Sequence, residues 1–172
     1  MDSFASSQHL TSQSSAAARP WARLVATTNA PAGPILRLGL ALVLFPHGAQ
    51  KLLGWFGGYG WSGTMGFLTQ QIGLPAPLAS GLILLEFFGP LLLLAGLAVR
   101  PVALGLIGIM LGAIFSVHAQ HGFFMNWFGA QKGEGFEFHL LVIAMALALL
   151  VAGAGALSLD RRIAGRTGGA AR

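Results

Sequence analysis

Four runs of the chain are almost free of charge: about Ile35 to Leu53, Pro75 to Leu97, Val102 to Ala119, and Phe136 to Ala156. Short stretches between and beyond them hold nearly all the Lys, Arg, Asp and Glu. Each run is close to the roughly 20 residues that a helix needs to cross a hydrocarbon layer about 30 Å thick. The expected fold is therefore an all-α membrane protein, a bundle of four transmembrane helices over residues 35–157.

The segments outside the runs set the rest of the organisation. Residues 1–34 are rich in Ser, Ala, Thr and Gln, contain Pro20, Pro31 and Pro34, and lack an apolar run long enough for a signal-peptide core. They read as a disordered cytoplasmic tail in preference to an organellar transit peptide, since short tails of this kind are common. Residues 158–172 read as a basic cytoplasmic tail. Arg100-Pro101 makes a tight connection between the second and third spans, because proline pushes the residue before it out of the helical region and suits a helix start. The other two connections are longer and rich in Gly and Trp. In the first of them Ser62 is placed to cap a short helix in which Met65, Leu68 and Ile72 recur at helical spacing, which predicts a helix lying along the outer interface.

Composition agrees with this segmentation: 55% of the 172 residues are apolar and only 9% charged, more oily surface than a soluble domain of this size can hide. The basic residues fix the sidedness. Arg19, Arg23, Arg37, Arg100, Arg161, Arg162, Arg166 and Arg172 fall on one side, against Lys51 and Lys132 on the other. The positive-inside rule puts the eight in the cytoplasm, so both termini are expected inside, with Trp55, Trp61 and Trp127 forming an outer aromatic belt. The net charge of +5 reflects these helix-end residues and no basic stripe interleaved with aromatics, which argues against a nucleic-acid partner. Absence of cysteine excludes disulfides, thiol redox chemistry and iron–sulfur clusters, so a redox role needs a bound cofactor or a partner.

Two further patterns carry structural expectations. Gly108 and Gly112 in the third span, and Ala144, Ala148 and Ala152 in the fourth, recur four apart and predict close helix approach. Both long connections begin alike, His47-Gly48 followed by Trp55-Phe56-Gly57 and His121-Gly122 followed by Trp127-Phe128-Gly129. Two parallel hairpins of common ancestry would explain this, and so would the ordinary abundance of Gly, Phe and Trp at membrane interfaces.

Ionisable residues in apolar spans are the candidates for chemistry. Glu86 lies about 11 positions into the second span, near the bilayer midplane, where it costs several kcal/mol unless it faces protein or water. Pro90 cannot donate a hydrogen bond to the carbonyl of Glu86 four residues earlier, so a kink and a spare acceptor coincide with the acid. Pro46 does the same to Leu42, immediately before His47. His47, Gln50 and Lys51 lie at i, i+3 and i+4 near the outer end of the first span. His118, His121, Glu134, Glu137 and His139 gather at the outer mouth. The inner half of the spans is kept free of such groups, which predicts a polar cavity opening outward, suited to a quinone head group, a proton relay or a metal. Against this, Lys51 could simply snorkel to the head groups, and Lys132, Glu134 and Glu137 could be solvated loop charges. His118 and His121 alone make a weak metal pattern, and no metal site is assigned. No P-loop, dinucleotide fingerprint or serine elbow is present.

The elements His47-Gly48-Ala49-Gln50-Lys51-Leu52, Gly57-Gly58-Tyr59-Gly60, Glu86 among apolar residues, Arg100, the His118–Phe124 stretch, Gly153-Ala154-Gly155 and Ser158-Leu159-Asp160 together resemble the DoxX family of small four-helix bacterial inner-membrane proteins. The likeness covers about Ile35 to Arg162. It implies a location in the bacterial cytoplasmic membrane and kinship with small subunits of thiosulfate–quinone oxidoreductases and with members that associate with redox-defence enzymes. By that analogy His47, Gln50, Lys51 and Glu86 form a shared polar site. The reading that follows is a membrane component of a redox system, an oxidoreductase subunit at most, that engages a quinone or a similar small amphipathic molecule. Glu86 and His47 would carry the chemistry, with Gln50, Lys51, His118 and Glu137 binding the substrate. Its partners would be the lipid bilayer, soluble redox enzymes or another membrane subunit, and a second copy of the chain. The rival readings are a non-catalytic scaffold that anchors soluble enzymes and a small-solute transporter.

Overall fold

The computed structural model describes residues 24–28 and 30–169, so most of the segment expected as a tail, residues 1–34, lies outside it. Among the described residues all regular structure is helical. Helix α1 (Ala32–Leu53) takes in the last three residues of that expected tail. Helix α2 (Gly60–Gly66) is short and runs on into a π-helical turn, Phe67–Gln71. Helix α3 spans Ala76–Ala95. Helix α4 (Val99–Ala113) continues through a π-helical turn and a 3-10 turn to His121. Helix α5 (Glu137–Ala152) and helix α6 (Leu159–Gly169) complete the described residues.

Three of these, α1, α3 and α4 with its extension, are long and apolar enough to cross a membrane. The fourth apolar helix, α5, has 16 residues and so measures about 24 Å, shorter than the sequence pattern suggests. It stops at Ala152 because Gly153 takes φ 77°, at a point where a Cβ would fall 2.5 Å from the Ala26 carbonyl oxygen. The apolar residues Ala154 and Ala156, expected in the span, instead follow this turn. Ser62 is not the cap of α2. Gly60, at φ 65°, reverses the chain two residues earlier, and Ser62 lies inside the helix.

α1 packs on α3 and α4 packs on α5. Their shared core contains Leu40, Leu44, Leu93, Leu106, Val142 and Leu149. Lipid is as apolar as these side chains, so within a bilayer this core is held by close packing and not by exclusion from water.

The end of the bundle at the α3–α4 connection, here the turn end, is pinned by polar groups that reach across the chain. Asp160 is 1% exposed and accepts hydrogen bonds from the backbone N–H groups of Ala98 (2.8 Å) and Val99 (3.0 Å), which would otherwise be orphaned at the start of α4. Arg37 is buried too, donating through Nη2 to the carbonyls of Ala156 and Leu157. It therefore acts inside the protein and not merely as a marker of sidedness. Gly96, at φ 64°, lies so close that a Cβ there would fall 1.7 Å from Arg37 Nη1. Arg100 donates to the Val151 carbonyl, and the Thr28 N–H donates to the Ala152 carbonyl, so α5 ends at the level where α1 and α4 begin.

The small residues play a different part from the one their spacing suggests. Ala144 and Ala148 are exposed on the outer face of α5. A Cβ on Gly108 or Gly112 would meet nothing within 4 Å. The close approaches instead use Gly48, Gly89 and Gly105.

Candidate functional site

At the opposite end, here the loop end, a cavity of about 1050 Å³ lies among α1, α2, α3, α4 and α5. Its polar groups come from separate elements. Lys51 sits in the last turn of α1 and reaches Glu86 in the middle of α3, its Nζ donating to Oε1 at 2.6 Å and to Oε2 at 2.5 Å. The Glu86 side chain is 5% exposed and that of Lys51 36%, so the carboxylate is buried and the ammonium faces the cavity. With two of its three N–H groups committed to Glu86, Lys51 keeps one donor for a ligand.

The pairing depends on how closely α1 and α3 approach. A Cβ on Gly48 would fall 2.2 Å from the Glu86 carbonyl oxygen and 2.6 Å from Phe87 Cα. Only glycine allows the two backbones to touch here, and that contact brings the Lys51 ammonium to the acid.

His47, one turn before Lys51, also lines the cavity, its ring 5.9 Å from that of Phe138. The Glu86 carboxylate thus takes Lys51, not His47, as its hydrogen-bond partner. Across the cavity the rings of His118 and His139 stand 4.1 Å apart. A carbonyl can only accept, so His118 donates from Nδ1 to Glu134 O at 2.8 Å, and its Nε2 is an acceptor when the ring is neutral. His139 is 7% exposed, and its Nδ1 has no hydrogen-bond partner among the described residues. A buried imidazole nitrogen without a partner is a costly arrangement unless something else fills that role.

Four of the six residues singled out in the sequence thus come together: His47, Lys51, Glu86 and His118. Gln50 and Glu137 do not line this cavity. Gln50 points away from Lys51 and donates to the Phe56 carbonyl at 3.2 Å, bracing the turn after α1. Glu137 accepts from the Met125 N–H at 2.9 Å and from the Trp127 indole at 3.3 Å, tying down the loop before α5. Glu134 does similar work, its carboxylate accepting from the Asn126 N–H at 2.6 Å. These are bound loop carboxylates, not freely solvated ones. His139, expected at the outer mouth, is interior and joins the site from the first turn of α5.

Helical turns run on to His121, but His118 and His121 serve separate contacts. The imidazole of His121 lies against Gly133, where a Cβ would meet its Nε2 at 2.5 Å. Among the described residues no group of three or more His, Cys, Asp or Glu is placed to hold a metal ion. The two similar loop starts are also not equivalent in space. Gly48 is helical and packed on α3, whereas Gly122 is a loop residue at φ 82°.

Chemically, an apolar chamber that ends on an ion pair and three imidazoles suits a ligand with a compact polar head. It can offer the remaining N–H donor of Lys51 and bare nitrogens from the histidines. The DoxX family model matches residues 34–119, half of the chain, which takes in His47, Lys51, Glu86 and His118 and ends before His139. No curated protein and no solved structure matches.

Proposed function

Because this multi-pass membrane protein belongs to the DoxX family, we propose that it is the membrane component of a quinone-linked redox system, holding a quinone head group in the cavity at the loop end. The observation that carries the reading is the joining of one large apolar cavity to the Lys51–Glu86 pair and to His47, His118 and His139. A quinone carbonyl accepts the free Lys51 N–H, and Glu86 and His47 lie beside it as groups able to take or give the protons that accompany quinone reduction. With no cysteine in this chain, the electrons come from a bound cofactor or a partner. In this reading α5 makes a fourth crossing. It also sets the turn end, where Arg161 and Arg162 are exposed, and both termini on the cytoplasmic side of a bacterial membrane and the cavity toward the exterior, a sidedness that the positive-inside rule supports.

Gentle solubilisation followed by native mass spectrometry and lipid extraction tests the proposal. Wild-type protein should carry a quinone and Glu86→Gln should have lost it. Wild-type protein free of quinone, together with full activity of Glu86→Gln in the host, would overturn it.

One observation favours a second role as an anchor for soluble enzymes. The loop before α5 is fixed by Glu134, Glu137 and the Asn126–Gln131 bonds, yet presents Trp127 and Phe128 outward at 79% and 97% exposure. Replacing both with Ser should release co-purifying subunits without emptying the cavity; subunits retained at wild-type levels would count against it.

A further inference from the structure

α3 and α4 run side by side in opposite directions, and their separation changes along their length. Toward the turn end they touch. A Cβ on Gly89 would meet Val102 Cγ1 at 3.3 Å, and one on Gly105 would meet Leu85 Cδ2 at 2.3 Å. Toward the loop end the contact is lost: Cβ atoms on Gly81 of α3 and on Gly108 and Gly112 of α4 would meet nothing within 4 Å. The two helices therefore form a V, closed at Leu85–Gly105 and open above it.

This V is the side wall of the cavity already described, since Gly81, Gly105, Gly108 and Gly112 all line it. Gly81, Gly108 and Gly112 are also exposed on the flank of the bundle. In a membrane that flank faces hydrocarbon, so the cavity opens sideways into the bilayer. Leu82, Leu85 and Ile109 line this side of the cavity, and the Lys51–Glu86 pair lies within it. A polar solute gains nothing along such a path, whereas an amphiphile already dissolved in the bilayer can slide in head first.

We propose that the cleft between α3 and α4, floored by Gly105, Gly108 and Gly112, seats the hydrocarbon tail of the ligand whose head group meets Lys51 and Glu86. This rests on the quinone reading above and extends it: the ligand is a tailed, lipid-borne quinone that enters laterally, and Gly108 and Gly112 are there to leave room for its tail. The floor from Gly105 to Gly112 is about 10 Å long, enough to select for a tail as well as a head. The gain on seating the tail is selectivity and access, because hydrocarbon leaves one apolar surroundings for another.

The test compares two probes, a benzoquinone bearing a decyl tail and the same head group without it, on wild-type and Gly108→Leu protein in detergent. Because each probe's affinity is read as a ratio of variant to wild type, partition into the micelle cancels. Leu at 108 fills open space, and glycine is the poorest helix former after proline, so the variant should melt no lower than wild type. Gly112→Leu, one turn further on, repeats the test at an independent position. The expected result is at least a tenfold loss of affinity for the tailed probe in each variant, with the tail-less probe within twofold of wild type. A decyl phosphocholine should not displace the tailed probe. Equal weakening of both probes, no weakening of either, displacement by decyl phosphocholine, or a shift of oligomeric state showing that a second copy covers the glycines would each overturn the proposal. If wild-type protein binds neither probe, the head-group reading itself fails and the tail groove falls with it.

Discussion

Replacing Lys51 with Met keeps the length and most of the bulk of the side chain and removes its charge, which leaves Glu86 in an apolar helix without its cation. Breaking a buried ion pair at one partner costs about 3–5 kcal/mol, chiefly because the remaining charge is uncompensated. Here Lys51 is 36% exposed and part of its attraction is screened, so the expected loss is nearer ~2 kcal/mol. Glu86→Gln on its own leaves the ammonium free to reach the cavity and should cost less. In the double variant no charge remains to be stranded, and stability should return to within about 1 kcal/mol of wild type. Unfolding in mixed micelles, followed through the fluorescence of the four tryptophans, gives all corners of this double-mutant cycle. Strict additivity, with Lys51→Met as stable as wild type, would refute the argument that the pair is buried and coupled.

Three other substitutions test separate parts of the structure. Gly48→Ala drives a Cβ to 2.2 Å from the Glu86 carbonyl, where only backbone can yield, and should destabilise by at least the ~1–3 kcal/mol typical of overpacking, visible as a lowered melting temperature. Asp160→Ala removes both acceptors for the Ala98 and Val99 N–H groups and should cost about 3 kcal/mol, with Asp160→Asn recovering part of it in the same melt. Glu137→Gln should speed hydrogen exchange at the Met125 amide while leaving quinone content unchanged, because Glu137 braces the loop and stands outside the cavity; loss of quinone would contradict that placement.

Much of the site was legible because an ionisable residue in an apolar helix is conspicuous wherever the helix goes. Glu86, His47 and Lys51 stand out on that ground alone. The choice between Gln50 and Lys51 was not legible. The two are separated by about 100° around α1, and both are near neighbours of His47 by helical spacing. Which of them meets the acid is decided by where α3 lies, and that is information from residues 35 positions away. Asp160 was hidden for the same reason, its partners lying 61 and 62 residues earlier in the chain. Helix ends misled in a different way. The length of α5 and the start of α2 are set by Gly153 and Gly60 taking positive φ, and nothing in hydropathy distinguishes those glycines from the many that stay helical.

Glycine spacing shows the same ambiguity more sharply. Gly105, Gly108 and Gly112 lie within two turns of one helix yet are two devices in the structure, the first letting Leu85 in and the other two keeping a space open. Gly48 has a third use, and it explains why the site is where it is. Pro90 cannot donate to the Glu86 carbonyl, so α3 carries an acceptor lacking its helical donor inside an apolar layer, an arrangement tolerated only where a neighbouring element covers it. The α1 backbone at Gly48 covers that carbonyl directly. One consequence of bringing α1 so near is that Lys51, a single turn from His47, reaches the carboxylate of the same residue. The irregularity of α3 and the charge pairing are therefore coupled. A Pro90→Ala variant that restores the helical bond should relax the demand for glycine at 48, and Gly48→Ala should be better tolerated in that background than alone. If the two losses simply add, the proline and the glycine serve unrelated purposes.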